Sequence, residues 1–292
     1  TPILIGREER VRSTMDQLGL PASAAIEIVN SKLSPSTADY INLLYERLQR
    51  RGYLERDCVR MVNRDRNVFG ALMVQSGDAD ALVTGLTRNY HMALDQITRV
   101  LDPAAGSHVF GLSMVMTQGK TLFVADTALH EVLSPEQMAD IAQQAAAVAR
   151  GLGHEPRVAL ISYSNFGHPD LPRAQPGRDA VKVLDERHVG FEYEGEMTVE
   201  VALNTEVMAN YPFCRLTGPA NVLIMPSLHT SQVSTQLLKS LGGGTVLGPV
   251  LIGLSKPVQI VPMGTTVSDM VNMAALAARV QRLEDIEDIK KL

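Results

Sequence analysis

Short apolar runs alternate with helix-like segments along the whole chain. Between the runs, apolar residues recur every three or four positions, as on the buried face of an amphipathic helix. The runs lie at 3–5, 26–29, 81–83, 109–116, 121–125, 157–164, 191–194, 221–225 and 258–261. The helical segments lie at 7–18, 35–48, 56–75, 89–101, 136–150, 179–187, 198–209, 230–241 and 268–283. Strands separated by helices indicate βαβ units, so the pattern predicts an α/β fold with mainly parallel sheets.

Polar residues cluster beside several of the predicted strands. In parallel sheets, ligands bind beyond the carboxyl ends of the strands. We therefore expect functional residues among segments 78–80, 125–126, 162–165, 226–229 and 261–266. The candidates are the hydroxyls of Ser162, Ser164 and Ser227, the amides of Asn165 and Asn221, the carboxylates of Asp80 and Asp269, and the cations of Arg173 and Arg178. This set suits a phosphorylated or pantetheine-containing ligand, and it equally suits ordinary polar capping of strand ends.

The composition is that of an ordinary globular protein. The chain has 292 residues, 45% hydrophobic and 20% charged, and this length predicts about two domains. The apolar runs are far shorter than the ~18 residues that span a bilayer, so we expect no membrane partner. A net charge of −5 without a long basic run argues against nucleic acid. Cys58 and Cys214 are too few for a disulfide framework, which favours the cytoplasm.

Common catalytic motifs are missing from the sequence. There is no GxxxxGKS/T phosphate loop, no GxGxxG after a strand and no GxSxG elbow. The histidines form no HExxH pair and neither cysteine belongs to a CxxC, so we expect no metal site in this chain. His229 follows a predicted strand, where a helix-capping role is favoured over catalysis.

Longer motifs resemble the phosphate acetyl/butyryltransferase family. They follow the family's order over essentially the whole chain: PILIG at 2–6, GDADALVT at 77–84, FVAD at 123–126, RVALISYS at 157–164, GEM at 195–197, GPANVLIMP at 218–226, GPVLIGL at 248–254 and KPV at 256–258. The resemblance implies two α/β domains with a ligand cleft between them. The first would combine 1–105 with 250–292, and the second, 106–249, would be inserted. It also implies a homodimer or a higher homo-oligomer.

Within that family, the chain looks closer to the C-terminal module of large bacterial NADP-dependent malic enzymes. The segments that carry this resemblance are SNFG at 164–167, GEM at 195–197 with VALN at 201–204, TGPANVLIM at 217–225, VQIV at 258–261 and DMVNMAALAA at 269–278. It implies an excised C-terminal half without the family's opening strand and helix, in agreement with the missing initiator Met. The parent would oxidatively decarboxylate malate to pyruvate. NADP and a divalent metal, Mg²⁺ or Mn²⁺, would bind its N-terminal malic enzyme domain, and this chain would hold no cofactor.

The catalytic motif of the resembled family is altered here. Active transacetylases carry a Ser-Arg pair before a Gly-Cys-Ser-type turn, followed by an aspartate. Aligned on Gly264 and Asp269, this chain keeps the aspartate but has Pro262 and Met263 in place of the pair, and Thr265 in place of the cysteine. Proline and methionine side chains cannot donate to an oxyanion or hold a phosphate, and losing one oxyanion donor costs ~10²–10³ in rate. We therefore expect no catalysis by this chain.

The resulting hypothesis is that the module binds acetyl-CoA as an allosteric inhibitor, because the resemblance implies that inhibitor for malic enzymes of this architecture. The expected ligand residues are Ser162, Ser164, Asn165, Arg173, Arg178, Asn221 and Asp269. The effector would sit in the interdomain cleft or at the dimer interface. Two alternatives remain open: an active phosphate acetyl- or butyryltransferase, and a pure assembly domain without a ligand.

Overall fold

Helices and strands alternate along the chain in the computed structural model, which describes residues 1–20, 26–117, 119–242 and 244–284. The elements before residue 100 are β1 (Ile3–Ile5), α1 (Glu8–Gln17), β2 (Glu27–Val29), α2 (Thr37–Leu48), α3 (Glu55–Arg64), α4 (Arg66–Ser76), β3 (Leu82–Gly85) and α5 (Tyr90–Thr98). Those that follow are β4 (Phe110–Thr117), β5 (Lys120–Ala125), α6 (Pro135–Gly151), β6 (Arg157–Ile161), α7 (Gln175–Arg187), β7 (Glu192–Met197), α8 (Val199–Leu203), α9 (Thr205–Met208), β8 (Val222–Ile224), α10 (Leu228–Leu241), β9 (Thr245–Ile252), β10 (Val258–Val261) and α11 (Val267–Glu284). Within the described ranges, no helix is both long and apolar enough to cross a membrane.

Six strands form the larger sheet, in the order β7-β6-β8-β5-β4-β9. The strands from β7 to β5 run parallel, whereas β4 runs antiparallel to both β5 and β9. The predicted α/β fold with mainly parallel sheets is therefore confirmed, with an antiparallel pair added at one edge. The four parallel strands end at a common edge, at Ala125, Ile161, Met197 and Ile224.

Both faces of this sheet are covered by helices. Side chains alternate between the faces, so that Phe123 joins the core under α6 and α7, while its neighbour Val124 joins the core under α8 and α9. The same alternation places Leu160 on the first face and Ala159 on the second. Burial on both faces explains why the parallel strands are nearly continuous apolar runs in the sequence.

A smaller parallel pair joins distant parts of the chain. β3 pairs with β10, with Val258 opposite Leu82 and Val261 opposite Gly85. Helices α2 to α5 pack around this pair in a second core that contains Leu44, Phe69 and Ile260. A further parallel pair, β1 with β2, lies against the same core. The predicted bounds of two domains stay a prediction, and residues 285–292 of the first lie outside the described residues.

The side chain of Gln259 connects the two larger groups of strands. Its amide nitrogen donates to the carbonyl of Leu251 at 3.0 Å, and its amide oxygen accepts from the backbone nitrogen of Leu251 at 2.8 Å. Gln259 lies on β10 and Leu251 on β9, and both residues are buried. The glutamine thus replaces a neighbouring strand for Leu251 and fixes β10 against the edge of the six-stranded sheet.

Two predicted helices are each divided by an extended residue. The segment predicted as one helix at 56–75 forms α3 and α4, which are separated at Asp65 (φ −110°, ψ 110°). The segment at 198–209 forms α8 and α9, which are separated at Asn204 (φ −120°, ψ 110°). In each case the short polar side chain accepts from the backbone two residues on and so caps the second helix. The helical spacing of apolar residues continues across both breaks, so the sequence pattern does not indicate either break.

Strand β9 was not predicted, because it contains Gly248-Pro249, a pair typical of turns. In the structure, Leu112 of β4 pairs with Val250 and Met114 pairs with Leu247, so that one residue of β4 faces Gly248 and Pro249 together. This β-bulge accommodates the proline, which lacks a donor for the ladder, and the glycine with its φ of +125°.

We expect Gln259→Leu to destabilise the fold by about 2–4 kcal/mol, because the buried N–H and C=O of Leu251 would both lose their partner at ~1–3 kcal/mol each. Denaturant unfolding measures this. Gln49→Leu is the control, since Gln49 is exposed and makes one local bond; we expect that variant within about 0.5 kcal/mol of the parent. Equal stabilities of the two variants would contradict a connecting role for Gln259.

Candidate functional site

A cleft opens where the carboxyl ends of β3 and β10 face the β5-β4-β9 side of the larger sheet. Its cavity measures about 490 Å³. One wall is the segment 88–91 that follows β3, and the opposite wall is α10 together with β9. Ser113 and Thr127 line the base, and Pro262 and Met263 border the cleft directly after β10. The volume lies within the range of small-molecule pockets, ~300–1,000 Å³.

Cationic side chains stand on both walls of the cleft. Arg88 is exposed on one wall, and Lys239 projects from the last turn of α10 on the other. Asn89 also lines the cleft. It caps α5, because its side-chain oxygen accepts from the backbone nitrogen of His91 at 2.9 Å. The N-terminus of α5 therefore adds its partial positive charge to the same wall. This arrangement favours an anionic ligand.

The base of the cleft is built on the buried carboxylate of Asp126, directly after β5. Its oxygens accept from four backbone nitrogens, those of Gly111, Ala128, Leu129 and His130, and contact Nδ1 of His130 at 2.7 Å. Only 1% of Asp126 is exposed. The carboxylate is thus fully occupied in holding the segment after β5, and it is not a free general base.

Tyr90 presents an unused hydroxyl beside this base. Its oxygen is shielded from solvent and has no hydrogen-bond partner among the described residues. Burial raises the pKa of Tyr90, and the Asp126 carboxylate raises it further. The hydroxyl therefore stays protonated at any physiological pH and offers a donor to a ligand or a water molecule.

The turn after β10 provides few polar side-chain atoms to the cleft. Met263 is 66% exposed and Pro262 is exposed. The hydroxyl of Thr265 is used within the turn, where it donates to the carbonyl of Pro262 at 2.6 Å. Thr266 caps α11 by accepting from the backbone nitrogen of Asp269 at 3.1 Å. Asp269 lines a small adjoining cavity of about 50 Å³ together with Lys239 and Met263, so its carboxylate faces the altered motif.

Most of the predicted ligand residues lie elsewhere, at the far end of the same sheet edge. Ser164 donates to Oε1 of the buried Glu196 at 2.7 Å, and Arg178 approaches the same oxygen at 3.4 Å. The Asp170 carboxylate, at 2.5 Å from Arg178, raises the pKa of that guanidinium. Asn165 accepts from the backbone nitrogen of Thr198 at 2.8 Å. These groups hold the loop after β6 around Glu196, and none of them lines the cleft.

Ser162 and Arg173 also lie at this far end. The backbone N–H of Ser162 donates to the carbonyl of Met197 at the end of β7. Arg173 is exposed on the loop before α7. The strand order explains the separation, because β8 and β6 stand between β5 and β7 at ~4.8 Å per strand. Of the predicted residues, the structure brings only Asp269 to the cleft region.

The expected position of Asn221 is corrected by the structure. Asn221 precedes β8, and its side chain accepts from the backbone nitrogen of Arg157 at 2.8 Å and donates to the carbonyl of Glu155 at 2.7 Å. It therefore caps the amino edge of the sheet, opposite the ligand-binding edge. Segment 78–80, with Asp80, likewise precedes β3. The segment after β3 that lines the cleft is 88–91, and the carboxyl-end rule indicates it once β3 is seen to end at Gly85.

The remaining candidates do not form a metal site. Among the described residues, no three side chains of His, Cys, Asp or Glu come together in a way that could hold a metal ion. Ser227 caps α10 by accepting from the backbone nitrogen of Thr230 at 3.3 Å, and His229 is exposed in the first turn of that helix. Lys239, which sequence analysis missed, is brought to the cleft only by the packing of α10.

The comparisons with known proteins show to which class of fold this cleft belongs. The family model described as phosphate acetyl/butaryl transferase matches residues 1–278, and the chain belongs to that family. Over 277 residues it is 53% identical to the NADP-dependent malic enzyme of Rhizobium meliloti (strain 1021), which covers 94% of this chain and 36% of that protein. Both predicted resemblances are thereby confirmed, and the chain spans little more than a third of this malic enzyme.

Solved structures show the same fold. The EutD phosphotransacetylase from Staphylococcus aureus superposes with a TM-score of 0.85 at 27% identity, over 96% of this chain and 86% of that one. A phosphotransacetylase from Streptococcus pyogenes superposes with a TM-score of 0.87 at 25% identity, over 97% and 86%. The fold of a transferase is therefore retained around a cleft that carries Pro262 and Met263.

We expect Asp126→Asn to lower stability by about 2–4 kcal/mol, because an amide NH₂ would face backbone donors that a carboxylate now satisfies. Thermal and denaturant unfolding measure the loss. Asp95→Asn is the control, since Asp95 pairs with Arg99 on an exposed helix face and such pairs contribute ~0–1 kcal/mol. An Asp126→Asn variant as stable as the control would refute the assignment of Asp126 to the framework of the cleft.

Proposed function

We propose that the chain is a non-catalytic regulatory and assembly module that binds acetyl-CoA in the cleft and acts on an attached malic enzyme. The observation that carries this proposal is a ligand-sized cleft with cations on both walls, bordered by Pro262 and Met263. The cleft retains groups for binding, whereas Pro262 and Met263 provide no side-chain donor at the turn after β10. The 53% identity to a malic enzyme supports the proposal that the attached domain is a malic enzyme.

Coenzyme A esters suit the chemistry of the cleft. They carry several phosphate charges, which Arg88 and Lys239 can pair with from opposite walls. The pantetheine amides need neutral hydrogen-bonding groups. Tyr90 has an unpaired hydroxyl, and Ser113 and Thr127, whose hydroxyls bond to each other at 2.9 Å, lie at the base of the cleft. The thioester end would then lie towards Met263.

Catalysis is disfavoured by what the cleft lacks. Transfer of an acetyl group between sulfur and phosphate needs a base for the thiol, donors for the tetrahedral oxyanion and a cation for the phosphate. The Asp126 carboxylate is occupied by its backbone donors, and Pro262 and Met263 supply neither donor nor cation. Asp269 could serve as a base, but the turn beside it offers no free side-chain donor for the oxyanion, since the Thr265 hydroxyl already donates to the carbonyl of Pro262.

Regulation follows from differential affinity. Elements of both strand groups form the walls of the cleft. A ligand that prefers one arrangement of the two groups relative to each other shifts the equilibrium towards that arrangement, typically by ~1–3 kcal/mol. In a longer protein this bias would act on malate decarboxylation, with NADP and a divalent metal bound by residues outside this chain. We further propose a cytoplasmic homodimer or larger homo-oligomer as the working form.

One specific observation favours a second candidate, an active phosphate acetyltransferase. The fold superposes on phosphotransacetylases with TM-scores of 0.85 and 0.87, and Asp269 is retained beside the cleft. Incubation with acetyl phosphate and CoA separates the candidates. Formation of acetyl-CoA at ordinary enzyme rates would overturn the non-catalytic assignment of Pro262 and Met263.

Calorimetric titration tests the ligand. We expect acetyl-CoA to bind saturably at micromolar concentration, with free CoA as the comparison ligand. Arg88→Ala and Lys239→Ala should each weaken binding by roughly 10-fold, because each removes a charge-assisted contact. Arg173→Ala is the matched control, because Arg173 is an exposed arginine outside the cleft. We expect this variant to bind acetyl-CoA with the affinity of the parent.

Two results would contradict the ligand proposal. Absence of acetyl-CoA binding would leave a pure assembly module. Loss of affinity in Arg173→Ala, with none in Arg88→Ala, would move the ligand site to the loop before α7.

A further inference from the structure

A second cavity lies at the opposite end of α5 from the cleft. It measures about 400 Å³, and its lining residues are Arg51, Gly52, Tyr53, Asp57, Arg60, Met61 and Arg99. The first residues of α5 border the cleft, whereas Arg99 directly follows the last residue of that helix. The two cavities share none of the described lining residues. The second cavity is therefore a separate feature and not an extension of the cleft.

Three guanidinium groups from three different elements line this cavity. Arg51 follows α2, Arg60 lies on α3 and Arg99 follows α5. Asp57 is the one acid among the described lining residues. Its Oδ2 accepts from the backbone nitrogen of Leu54 at 3.2 Å, and its Oδ1 accepts from Arg60 at 3.2 Å. The carboxylate thus caps α3, and cations outnumber it in the lining.

The arginines keep N–H donors for a ligand. Arg51 is exposed, and within the described part of the chain its side chain forms no hydrogen bond or ion pair. Arg60 is 65% exposed and donates only to Asp57, and Arg99 pairs with Asp95 at 2.5 Å. A guanidinium has five N–H donors, and exposed ion pairs contribute little to stability. An anion that enters the cavity therefore finds unused donors on each of the three side chains.

The local sequence has a composition that suits phosphate. Residues 47–64 contain six arginines, two acids and no lysine, in a chain whose net charge is −5. Lysine binds phosphate as a point charge, whereas the planar guanidinium of arginine binds two phosphate oxygens at once. A basic surface that served solubility alone would have no reason to exclude lysine. The use of arginine alone therefore favours recognition of phosphate groups.

The same cavity has an apolar part beside the cations. Tyr53 and Met61 belong to the lining, and the guanidinium carbon of Arg99 lies 6.0 Å from the centroid of the Tyr53 ring. Gly52 has a φ of +86° with open space where a side chain would project, so a ligand can approach the backbone there. Aromatic rings offer a stacking surface to nucleobases.

We propose that this cavity binds a nucleoside diphosphate or triphosphate, with adjacent phosphates on Arg51 and Arg60 and the base against Tyr53. The adjacent phosphates are also present in inorganic pyrophosphate, and the aromatic ring is the feature that favours the nucleotide. The volume lies within the range of small-molecule pockets, ~300–1,000 Å³. The inference goes beyond the binding of acetyl-CoA in the cleft and does not depend on it.

Calorimetric titration of the chain with ADP tests the arginines. We expect saturable binding that weakens as salt is added. Arg51→Ala and Arg60→Ala should each weaken it by roughly 10-fold, because each removes a charge-assisted contact. Arg51→Lys keeps the charge but loses the planar fork, so its affinity should fall between those of the parent and Arg51→Ala.

Arg56→Ala is the matched control for these variants. Arg56 is an exposed arginine of α3 outside the cavity lining, and its removal changes the net charge by the same amount. We expect this variant to bind ADP with the affinity of the parent. An equal loss of affinity in Arg56→Ala and Arg51→Ala would reduce the effect to a general basic field and overturn the site. Thermal melting checks that the variants fold, which we expect since the substituted side chains are exposed.

Two further probes separate the phosphates from the base. Pyrophosphate carries the phosphates alone and adenosine carries the base alone, so we expect ADP to bind more tightly than either. Tyr53→Leu should weaken ADP binding and leave pyrophosphate binding unchanged. Pyrophosphate binding as tight as that of ADP would overturn the assignment of a nucleotide.

Variants of the cleft establish where ADP binds. Arg88→Ala and Lys239→Ala should bind ADP like the parent, because neither residue lines the second cavity. Loss of ADP binding in these variants, with none in Arg51→Ala, would place ADP in the cleft and overturn the proposal. Absence of ADP binding at millimolar concentration would overturn it as well. Acetyl-CoA is titrated separately, so either ligand proposal can fail while the other stands.

Discussion

The amide of Gln259 bonds to both backbone groups of Leu251, and this contact sets the position of β10 against β9. The turn at Pro262 begins one residue after β10, and β9 forms the facing wall of the cleft. The geometry of the cleft therefore depends on a buried polar side chain that substitutes for a strand neighbour. A hydrophobic residue at this position would pack, but it would leave two backbone groups of Leu251 unsatisfied.

Two buried acids organise the common edge of the parallel strands in different ways. Asp126 uses both carboxylate oxygens on backbone donors and supports the base of the cleft. Glu196 uses Oε1 for Ser164, Gly167 and Arg178, while its Oε2 is buried without a partner among the described residues. Polar residues at strand ends therefore serve loop structure first. The polar groups that line the cleft and are left for the proposed ligand are Arg88, Tyr90 and Lys239, on its walls.

The α/β class could be predicted from the sequence, because strand and helix periods are local properties, and the binding of a ligand at the carboxyl edge of the strands stays a prediction. The sequence did not determine strand order, which is a tertiary property, so Ser164 and Arg178 were placed near Asp269 although the strands β6 and β7 lie far from the cleft. Strand β9 could not be predicted, because it contains the dipeptide Gly248-Pro249. Such a dipeptide usually ends a strand, but here a β-bulge accommodates it. The altered motif at Pro262 and Met263 could be recognised from the sequence alone, since the argument depends only on which side chains are present.

Helix α10 links the base of the cleft to one of its walls. Ser231 donates to the backbone carbonyl of Asp126, and Gln232 and Lys239 of the same helix line the cleft. A ligand that shifts α10 therefore also acts on the segment after β5. Thermodynamic linkage is reciprocal, so any arrangement of α10 that strengthens ligand binding is itself favoured by the ligand to the same degree. A ligand with equal affinity for the two arrangements would shift neither, however tightly it binds.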